Sequence, residues 1–334
     1  MVFCTSFSYF SFKPTKRKLK MKKYLPSSIL LFMLIACAPK KPPVYLFSFF
    51  QNNGEDGLHL AYSYNAINWK ALNNNKSVLT PEVGNDKLMR DPCIIEGDDG
   101  KFLMVWTVSW NERGIGYAHS EDLINWSEQL YIPVMHHEPE ALNCWAPEIY
   151  YEASTEEYMI YWATTIPGRF PESARSGDNQ YNHRMYYTLT KDFINFSETQ
   201  LLYDQGFNVI AATIHQIEGK YTMFLKNETL KPQEEKNIRI ATSAHLTGPY
   251  TPAGKSITDN WVEGPTAIET AKGWVVYFDQ YTRHKMGAVL STDLQNWEDI
   301  STQISFPEGT RHGTVFKVEN DLFEELKAAI NKLK

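Results

Sequence analysis

One short motif recurs five times along this chain and constrains its fold more than any other feature. Each copy combines a short alternating strand, a polar turn and a closing aromatic residue, and the copies lie at 58–69, 115–126, 185–196, 238–250 and 286–297. An aromatic-rich strand precedes each copy. Repeats of roughly 40–50 residues with several strands per unit are typical of β-propellers. The sequence therefore predicts an all-β fold, a five-bladed β-propeller.

Four of the five units begin with an additional strand, and the first unit does not. These opening strands are predicted at 90–95, 145–151, 209–217 and 262–268. The first unit starts directly at Val44, whereas a strand-like segment without a unit of its own follows at 311–318. Because closed sheets remove the hazard of an unpaired edge, we expect this C-terminal strand to complete the first blade. Residues 44–334 are thus predicted to form a single propeller domain.

The first 37 residues are predicted to direct the chain rather than to fold with it. Two lysines precede a short apolar run, Ile29 to Ala36, which ends at Cys37 in a lipobox-like cleavage site. This run is too short to span a bilayer of about 30 Å. We therefore expect a lipid on Cys37, in an outer-membrane lipoprotein that faces the periplasm or the cell surface.

Two further predictions follow from this leader. Met21 is the expected start of translation, which makes residues 1–20 a mis-assigned extension, and residues 38–43 are expected to form a short stalk. Removal of residues 1–37 takes away seven of the 33 basic residues, which leaves 26 against 39 acidic residues. Such a charge repels phosphate backbones, so nucleic acid is excluded as a partner. The membrane is expected to be contacted only through the lipid.

The remaining cysteines, Cys93 and Cys144, lie near the starts of neighbouring opening strands. In an oxidising compartment they could form a disulfide. Two buried thiols are an equal alternative.

Charged residues stand at the start of several opening strands, where the blades of a propeller meet around its axis. Asp91 precedes a proline, Glu263 precedes Gly-Pro, and Arg311 and His312 lead the C-terminal strand. Proline ends the hydrogen-bonded ladder and fixes the chain direction, so the neighbouring carboxylate points into the axial pocket. A turn role explains any one of these residues. The recurrence of acids at the same place in different blades favours a shared site.

These segments resemble glycoside hydrolase family 43, and the likeness covers essentially the whole chain after the leader. The family consists of five-bladed propellers, inverting enzymes that cleave arabinofuranosides, xylosides and, in some branches, galactosides. The resemblance implies a carbohydrate substrate, no required cofactor, Asp91 as general base and Glu263 as general acid. The residues around 145–148 match the family's Trp-Ala-Pro-acid segment, and those at 311–314 match a branch of bacterial lipoproteins.

The resemblance also suggests which residues contact the sugar. They are Trp145, Glu148, Glu228, Arg311 and His312. Some family members hold a calcium at the axis through a histidine, so His312 is a candidate ligand for a structural calcium. Sugar stacking and core packing are both open for the tryptophans near the blade mouths, which are Trp106, Trp110, Trp145 and Trp261.

The family pattern fails at one position. The fourth blade of this branch would read Ile-Asp-Ala-Thr, and this chain has Ala211 in place of the aspartate. That aspartate raises the pKa of the general acid by like-charge repulsion, so Ala211 predicts an impaired acid. Glu228, after the next strand, is the nearby acid that would replace it. Two functions are therefore predicted: an impaired exo-glycosidase that releases arabinofuranose, xylose or galactose, or a glycan-binding pseudoenzyme.

Other polar residues have simpler explanations. Asp122, Asp192 and Asp293 fall in the repeated turn and are predicted to cap it. His136 and His137 suggest a metal cluster, but adjacent residues on a strand point to opposite faces. The long third-blade loop, from Pro167 to His183, is expected to shape the rim of the pocket.

Overall fold

The computed structural model describes residues 41–179 and 181–332, which form five antiparallel sheets. The leader, the lipid on Cys37, the start at Met21 and most of the stalk lie outside the described residues and stay predictions. Among the described residues, no helix is both long enough and apolar enough to cross a membrane.

Each blade is a meander in which successive strands pair side by side. The first blade begins with β1 (Val44–Phe49), β2 (His59–Ser63) and β3 (Lys70–Ala71). The second contains β4 (Arg90–Glu96), β5 (Phe102–Thr107), β6 (Ile115–Ser120) and β7 (Leu130–Ile132). The third contains β8 (Trp145–Glu152), β9 (Glu157–Thr165), β10 (His183–Thr190) and β11 (Gln200–Tyr203).

The fourth blade has three strands, β12 (Val209–Ile217), β13 (Lys220–Asn227) and β14 (Asn237–Ser243). The fifth contains β15 (Glu263–Thr270), β16 (Gly273–Gln280), β17 (Lys285–Ser291) and β18 (Glu298–Asp299). The chain then forms β19 (Val315–Val318) and a helix, α1 (Asn320–Ile330). Short 3-10 helices occur at Asn73–Asn75, Pro171–Ser173 and Tyr281–Arg283.

The last strand closes the ring, as predicted. β19 pairs antiparallel with β1, with Val318 opposite Val44. The regular strand is shorter than expected, but the segment before it follows the same edge, since the N–H of Arg311 donates to Phe50 O over 3.0 Å. Both edges of β1 are therefore paired, with β2 on one side and the C-terminal strand on the other, and the five-bladed propeller is confirmed.

The core consists of five apolar clusters, one between each pair of neighbouring blades. Trp106 is buried between the first and second blades, and Trp162 between the second and third. Burial of one such large apolar side chain contributes about 1.5–3 kcal/mol. The large aromatic side chains on the strands that precede each repeated motif thus fill the space between neighbouring blades and fix the angle between them.

The repeated motif forms a capped turn. Asp122 Oδ1 accepts hydrogen bonds from the N–H groups of Ile124 and Asn125, at 2.9 and 2.7 Å. Asp192 and Asp293 accept the equivalent pairs in their blades. Their predicted role as turn caps is confirmed.

Cys93 and Cys144 are buried, and both are free thiols. Of the two alternatives, the structure therefore has the pair of unbridged thiols. Burial raises the pKa of each far above its usual range, so both behave as apolar core side chains.

Candidate active site at the propeller axis

Four opening strands share one backbone distortion near the axis. In β4, β8, β12 and β15 a β-bulge interrupts the pairing with the next strand. One residue of each bulge is left-handed, with φ of 52° at Asp91, 46° at Ala146, 51° at Ala211 and 58° at Gly264. This conformation costs about 1–2 kcal/mol for residues other than glycine, and such strain concentrates at functional sites. Each of these blades thus presents an equivalent position to the axis.

The bulges surround a cavity of about 350 Å³ that opens at one end of the axis. We call it the mouth cavity, or the mouth. Residues from all five blades line it, because each blade contributes the start of its innermost segment. Seven of the eight predicted site positions lie in its wall: Asp91, Trp145, Ala211, Glu228, Glu263, Arg311 and His312. These seven positions, which are far apart in the sequence, therefore lie around one cavity.

Glu148 is the exception among the predicted sugar contacts. It lies deeper, beside a neck of about 20 Å³ that continues from the mouth cavity along the axis. Such a volume holds about one water molecule. The hydroxyl of Tyr161 donates to Glu148 Oε2 over 2.9 Å, and burial raises the pKa of Glu148 to about 8. It lies beneath the mouth, rather than on its wall, because it is two residues further along β8 than the bulge residue Ala146.

Asp91 is held as a carboxylate by the groups around it. The Thr107 hydroxyl donates to Asp91 Oδ2 over 2.7 Å, and His312 Nε2 lies 2.6 Å from Oδ1. Burial alone would raise the pKa of Asp91, but the positive charges of His312 and Arg90 hold it well below its usual range. An ionised carboxylate is the form that a general base requires.

Glu263 is held in the same ionised form. Lys226 Nζ lies 3.2 Å from Glu263 Oε2, and an Arg311 Nη2–H group donates to Oε1 over 3.1 Å. Burial would raise the pKa of Glu263, but the positive charges of Lys226, His312 and Arg311 outweigh burial and lower it. A carboxylate in this state has no proton to give to a leaving oxygen at neutral pH.

His312 stands between the two carboxylates. Its Nδ1 lies 3.7 Å from Glu263 Oε1 and 3.5 Å from Asp279 Oδ2, while its Nε2 faces Asp91. Burial would lower the pKa of His312, but Asp91 and Asp279 raise it to about 9, so the ring carries a positive charge at neutral pH. Gly264 makes room for it, since a Cβ there would lie 2.2 Å from His312 Cγ.

The second strands of the blades supply residues that sequence reasoning missed. Thr107, Lys226 and Asp279 pair across the ladder with the residue that precedes the bulge in the second, fourth and fifth blades. Lys226 and Asp279 are buried charged residues that follow apolar runs near the mouth ends of β13 and β16. A charge directly after such a run is the signal that points to them, because buried charges need partners.

Glu228 lines the mouth, but a lysine lies between its carboxylate and that of Glu263. Its carboxylate lies 2.5 Å from Lys226 Nζ and 2.6 Å from Lys236 Nζ. Lys226 therefore stands between Glu228 and Glu263 and neutralises both. Glu228 is in place to contact a ligand, but its like-charge effect on Glu263 is cancelled by the shared lysine.

Two tryptophans form an aromatic wall at the mouth. The Arg90 guanidinium stacks 4.3 Å from the ring centre of Trp110, whose side chain remains 40% exposed. The indole N–H of Trp145 donates to Trp110 O over 3.0 Å. Trp106, by contrast, is fully buried in the core, and Trp261 packs near Tyr281 without lining the cavity.

One group of side chains lies close enough together to hold a metal ion, but its chemistry does not suit calcium. Within the part of the chain that the structure describes, Glu263, Asp279 and His312 form the one group whose ligand atoms lie close enough, within 4.8 Å of one another. Calcium prefers oxygen ligands, whereas this group includes a histidine nitrogen, and Arg311 and Lys226 already contact its carboxylates. The residues present do not fit a calcium ion. His136 and His137 belong to no such group among the described residues.

A protein-family model described as a probable glycosyl hydrolase domain, related to glycoside hydrolase family 43, matches residues 42–324. The chain belongs to this family. The match covers every blade and the closing strand, so the whole propeller is the family domain.

Individual relatives agree with this placement. An alpha-L-arabinofuranosidase of Bifidobacterium longum subsp. longum is 26% identical over 244 residues, which cover 61% of this chain and 22% of that protein. The chain thus spans about a fifth of the length of this curated relative.

Two solved structures share the fold. An alpha-L-arabinofuranosidase from Clostridium thermocellum superposes with a TM-score of 0.52 at 15% identity, over 75% of this chain and 85% of that one. An endo-arabinase from Bacteroides thetaiotaomicron gives 0.54 at 13% identity, over 80% and 91%. At such identities the likeness shows the propeller alone.

Proposed function

We propose that this chain binds the terminal sugar of a glycan in the mouth cavity and hydrolyses its glycosidic bond slowly, with inversion. The family supports a glycosidase, and the shape of the cavity supports a terminal sugar. The mouth narrows below Asp91 and His312 to a neck with room for about one water molecule, so a longer saccharide cannot pass. Trp110, which lines the mouth and is 40% exposed, supplies an aromatic side chain that a sugar can contact.

The roles of the two carboxylates follow from their partners. Asp91, ionised and oriented by Thr107, is the base that activates water. Glu263 is the group that would protonate the leaving oxygen. One imidazole ring, His312, separates the carboxylates, and this is consistent with the gap of about 6.5–9.5 Å that inverting enzymes leave for water.

The environment of Glu263 is the observation that supports slow turnover. Lys226 and Arg311 contact its carboxylate, while Ala211 contributes a methyl group where a like charge would favour the protonated form. General acid catalysis contributes about 10²–10⁴-fold, and a carboxylate without its proton forfeits most of it. The same observation favours a second candidate, a glycan-binding protein without turnover.

Arabinofuranose is the sugar we propose, with xylose and galactose as alternatives. The proposal draws on the arabinofuranosidase of Bifidobacterium longum, whose matched region aligns with most of the propeller. We further propose that no cofactor takes part, because the charged groups at the axis already neutralise one another.

The test separates binding from turnover. Calorimetry with arabinotriose, xylotriose and galactotriose identifies the sugar, and release of arabinose is followed in parallel for the native chain and for Asp91→Asn. Binding of arabinotriose with slow release that Asp91→Asn abolishes is the expected result. Release that Asp91→Asn leaves unchanged would favour the binding protein, and failure to bind any of the three sugars would refute both candidates.

A further inference from the structure

A second cavity, of about 620 Å³, lies beside the mouth in the loop between β9 and β10. Arg169, Arg175 and Lys231 line it, and none of its described lining residues is acidic. This is unusual for a chain in which acidic residues outnumber basic ones, 39 to 33. The cavity therefore concentrates positive charge on an otherwise acidic protein.

This loop cavity lies at the same end of the propeller as the mouth. The loop leaves β9 after Thr165 and returns at His183, and the end of β9 pairs with the start of β8, where Trp145 lines the mouth. Asp178 of the loop lies 2.7 Å from Lys236, which in turn contacts Glu228 of the mouth wall. The walls of the two cavities are thus linked through Asp178, Lys236 and Glu228.

The walls of the loop cavity are held in place without a ligand. The buried guanidinium of Arg184 donates to Ser173 Oγ over 2.6 Å, and the side-chain amide of Asn182 donates to Phe170 O over 2.9 Å. Ser176 O accepts the N–H groups of Leu230 and Lys231, at 2.6 and 3.0 Å. Such preorganisation lowers the cost of binding.

Two of the three cations that line the loop cavity differ from Lys226 and Arg311 of the mouth, because they lack a carboxylate partner among the described residues. In the mouth, Lys226 and Arg311 both contact carboxylates. In the loop cavity Arg169 pairs with Glu138, but neither the Arg175 nor the Lys231 side chain contacts a partner among the described residues. A guanidinium and an ammonium that face one concave surface form a receptor for a carboxylate or a sulfate, since charge-assisted hydrogen bonds to such groups are strong.

We propose that the loop cavity is an outer subsite for an acidic sugar, one that carries a carboxylate or a sulfate ester, attached to the sugar bound in the mouth. The inference rests on the proposed function, because it takes the mouth as the site of the terminal sugar. It adds a specificity that neither the fold nor the axial carboxylates contain: a preference for acidic over neutral glycans.

Three synthetic trisaccharides test the subsite. All begin with the same terminal arabinofuranose, and they end in galactose, galacturonic acid or galactose 6-sulfate. Calorimetry should show that an acidic probe binds about tenfold more tightly than the neutral one, the scale of one charge-assisted hydrogen bond. This advantage should shrink at high salt, because exposed charges are screened. The two acidic probes decide between the carboxylate and the sulfate.

The double variant Arg175→Gln/Lys231→Gln should abolish the advantage and leave the neutral probe unaffected. Lys220→Gln/Lys272→Gln is the matched control, since it removes two exposed lysines from the β12–β13 and β15–β16 hairpins, at the opposite end of the propeller. Equal affinity for all three probes would overturn the subsite and leave the proposed function intact, whereas failure to bind the neutral probe would count against the proposed function. Inorganic sulfate that binds as tightly as the sulfated probe would also overturn the subsite, as an adventitious ion only.

Discussion

The second and fourth blades open with the same backbone bulge and differ in the side chain that the bulge carries. Asp91 and Ala211 both occupy the bulge of their opening strand, with φ of 52° and 51°, and both face the mouth. In the second blade the bulge presents a carboxylate to Thr107 and His312. In the fourth it presents a methyl group, and the neighbouring strand supplies Lys226 instead.

The comparison separates the backbone of the site from its chemistry. The bulge persists in the fourth blade although alanine gains nothing from it, so ring geometry and not the carboxylate maintains the distortion. What the carboxylate decides is the charge of its surroundings. With an acid at position 211 Glu263 would gain a like charge beside it, whereas with alanine the cations Lys226, Arg311 and His312 dominate its surroundings.

An aspartate at position 211 of the fourth blade, equivalent to Asp91 of the second, should have the largest effect on turnover. Ala211→Asp adds a negative charge that competes for Lys226 and favours protonated Glu263, so we expect turnover to rise at least about 100-fold. The measurement is kcat/KM on an alkyl arabinofuranoside, and the gain should be smaller on a nitrophenyl arabinofuranoside, whose leaving group needs less protonation.

Ala211→Asn, with nearly the same shape and no charge, is the control and should stay near the native rate. If Ala211→Asp leaves turnover unchanged while Glu228→Gln abolishes it, Glu228 serves as the modulating acid, and the contrast between the blades has no functional meaning.

The free energy of unfolding should depend on pH through His312, the cation that contacts Asp91 in the second blade. The pKa of His312 is raised to about 9 in the folded protein, above its ordinary 6.5. Its contribution is therefore complete below pH 6.5 and is lost as the pH rises through about 9, a change of about 3 kcal/mol in the free energy of unfolding. Urea denaturation at pH 6 and pH 9.5 measures it.

His312→Gln should lower stability at pH 6 and flatten the dependence above it, whereas the exposed His245→Gln should leave the native slope. His183 and His215 act below this window, since burial lowers their pKa to about 3 and about 4. A slope that survives in His312→Gln would show that a group other than His312 causes the pH dependence of stability in this window.

The lysine of the fourth blade should shift the pH profile. Because the pKa of Glu263 is lowered, its protonated fraction falls with rising pH, and kcat/KM of the native chain should increase as the pH falls from 7 toward 4. Asp91 stays ionised over this range, since its pKa is also lowered. Lys226→Met removes one cation, should raise the pKa of Glu263 by about one unit and should increase kcat/KM at pH 7 about tenfold.

Lys236→Met is the matched control, because Lys236 contacts Glu228 and Asp178 but not Glu263. A Lys226→Met protein with a lower rate and an unshifted pH profile would assign Lys226 a purely structural role.

The smallest effect concerns the backbone alone. Ala211→Gly relieves the left-handed strain at the fourth-blade bulge and should stabilise the protein by about 1 kcal/mol, less the entropy that glycine adds to the unfolded chain. Thermal unfolding measures it, with the exposed Ala271→Gly as control. A loss of stability equal to that of the control would mean that the bulge at Ala211 carries no strain.

Much of this architecture could be predicted from the sequence, because it is written in local patterns that repeat. The recurring turn fixes the number of blades, and the absence of an opening strand before Val44 predicts the closing pairing with residues near 318. The acids at 91 and 263 were found because they recur at the same place in their units. Capping by Asp122 and its counterparts follows from chemistry within a few residues.

The remainder depends on contacts between blades, which no local pattern encodes. Lys226 reaches Glu263 only because two neighbouring blades converge at the axis, and the left-handed bulges arise from that same crowding. Glu148 was expected on the sugar-contacting wall, but it lies in the neck beneath. Its depth along the axis is set by the two-residue step after the bulge, which a sequence motif does not report.

The closing strand has a consequence for the order in which the protein is made. Arg311 and His312, which counterbalance both carboxylates, precede β19 and leave the ribosome only after the strands of the other four blades. Until they dock against β1, the incomplete ring holds Asp91 and Glu263 without these counterions. Contacts between the two ends of a chain form slowly. Ligand binding is therefore a property of the finished ring, and a chain truncated before residue 311 can keep four blades and still have no pocket.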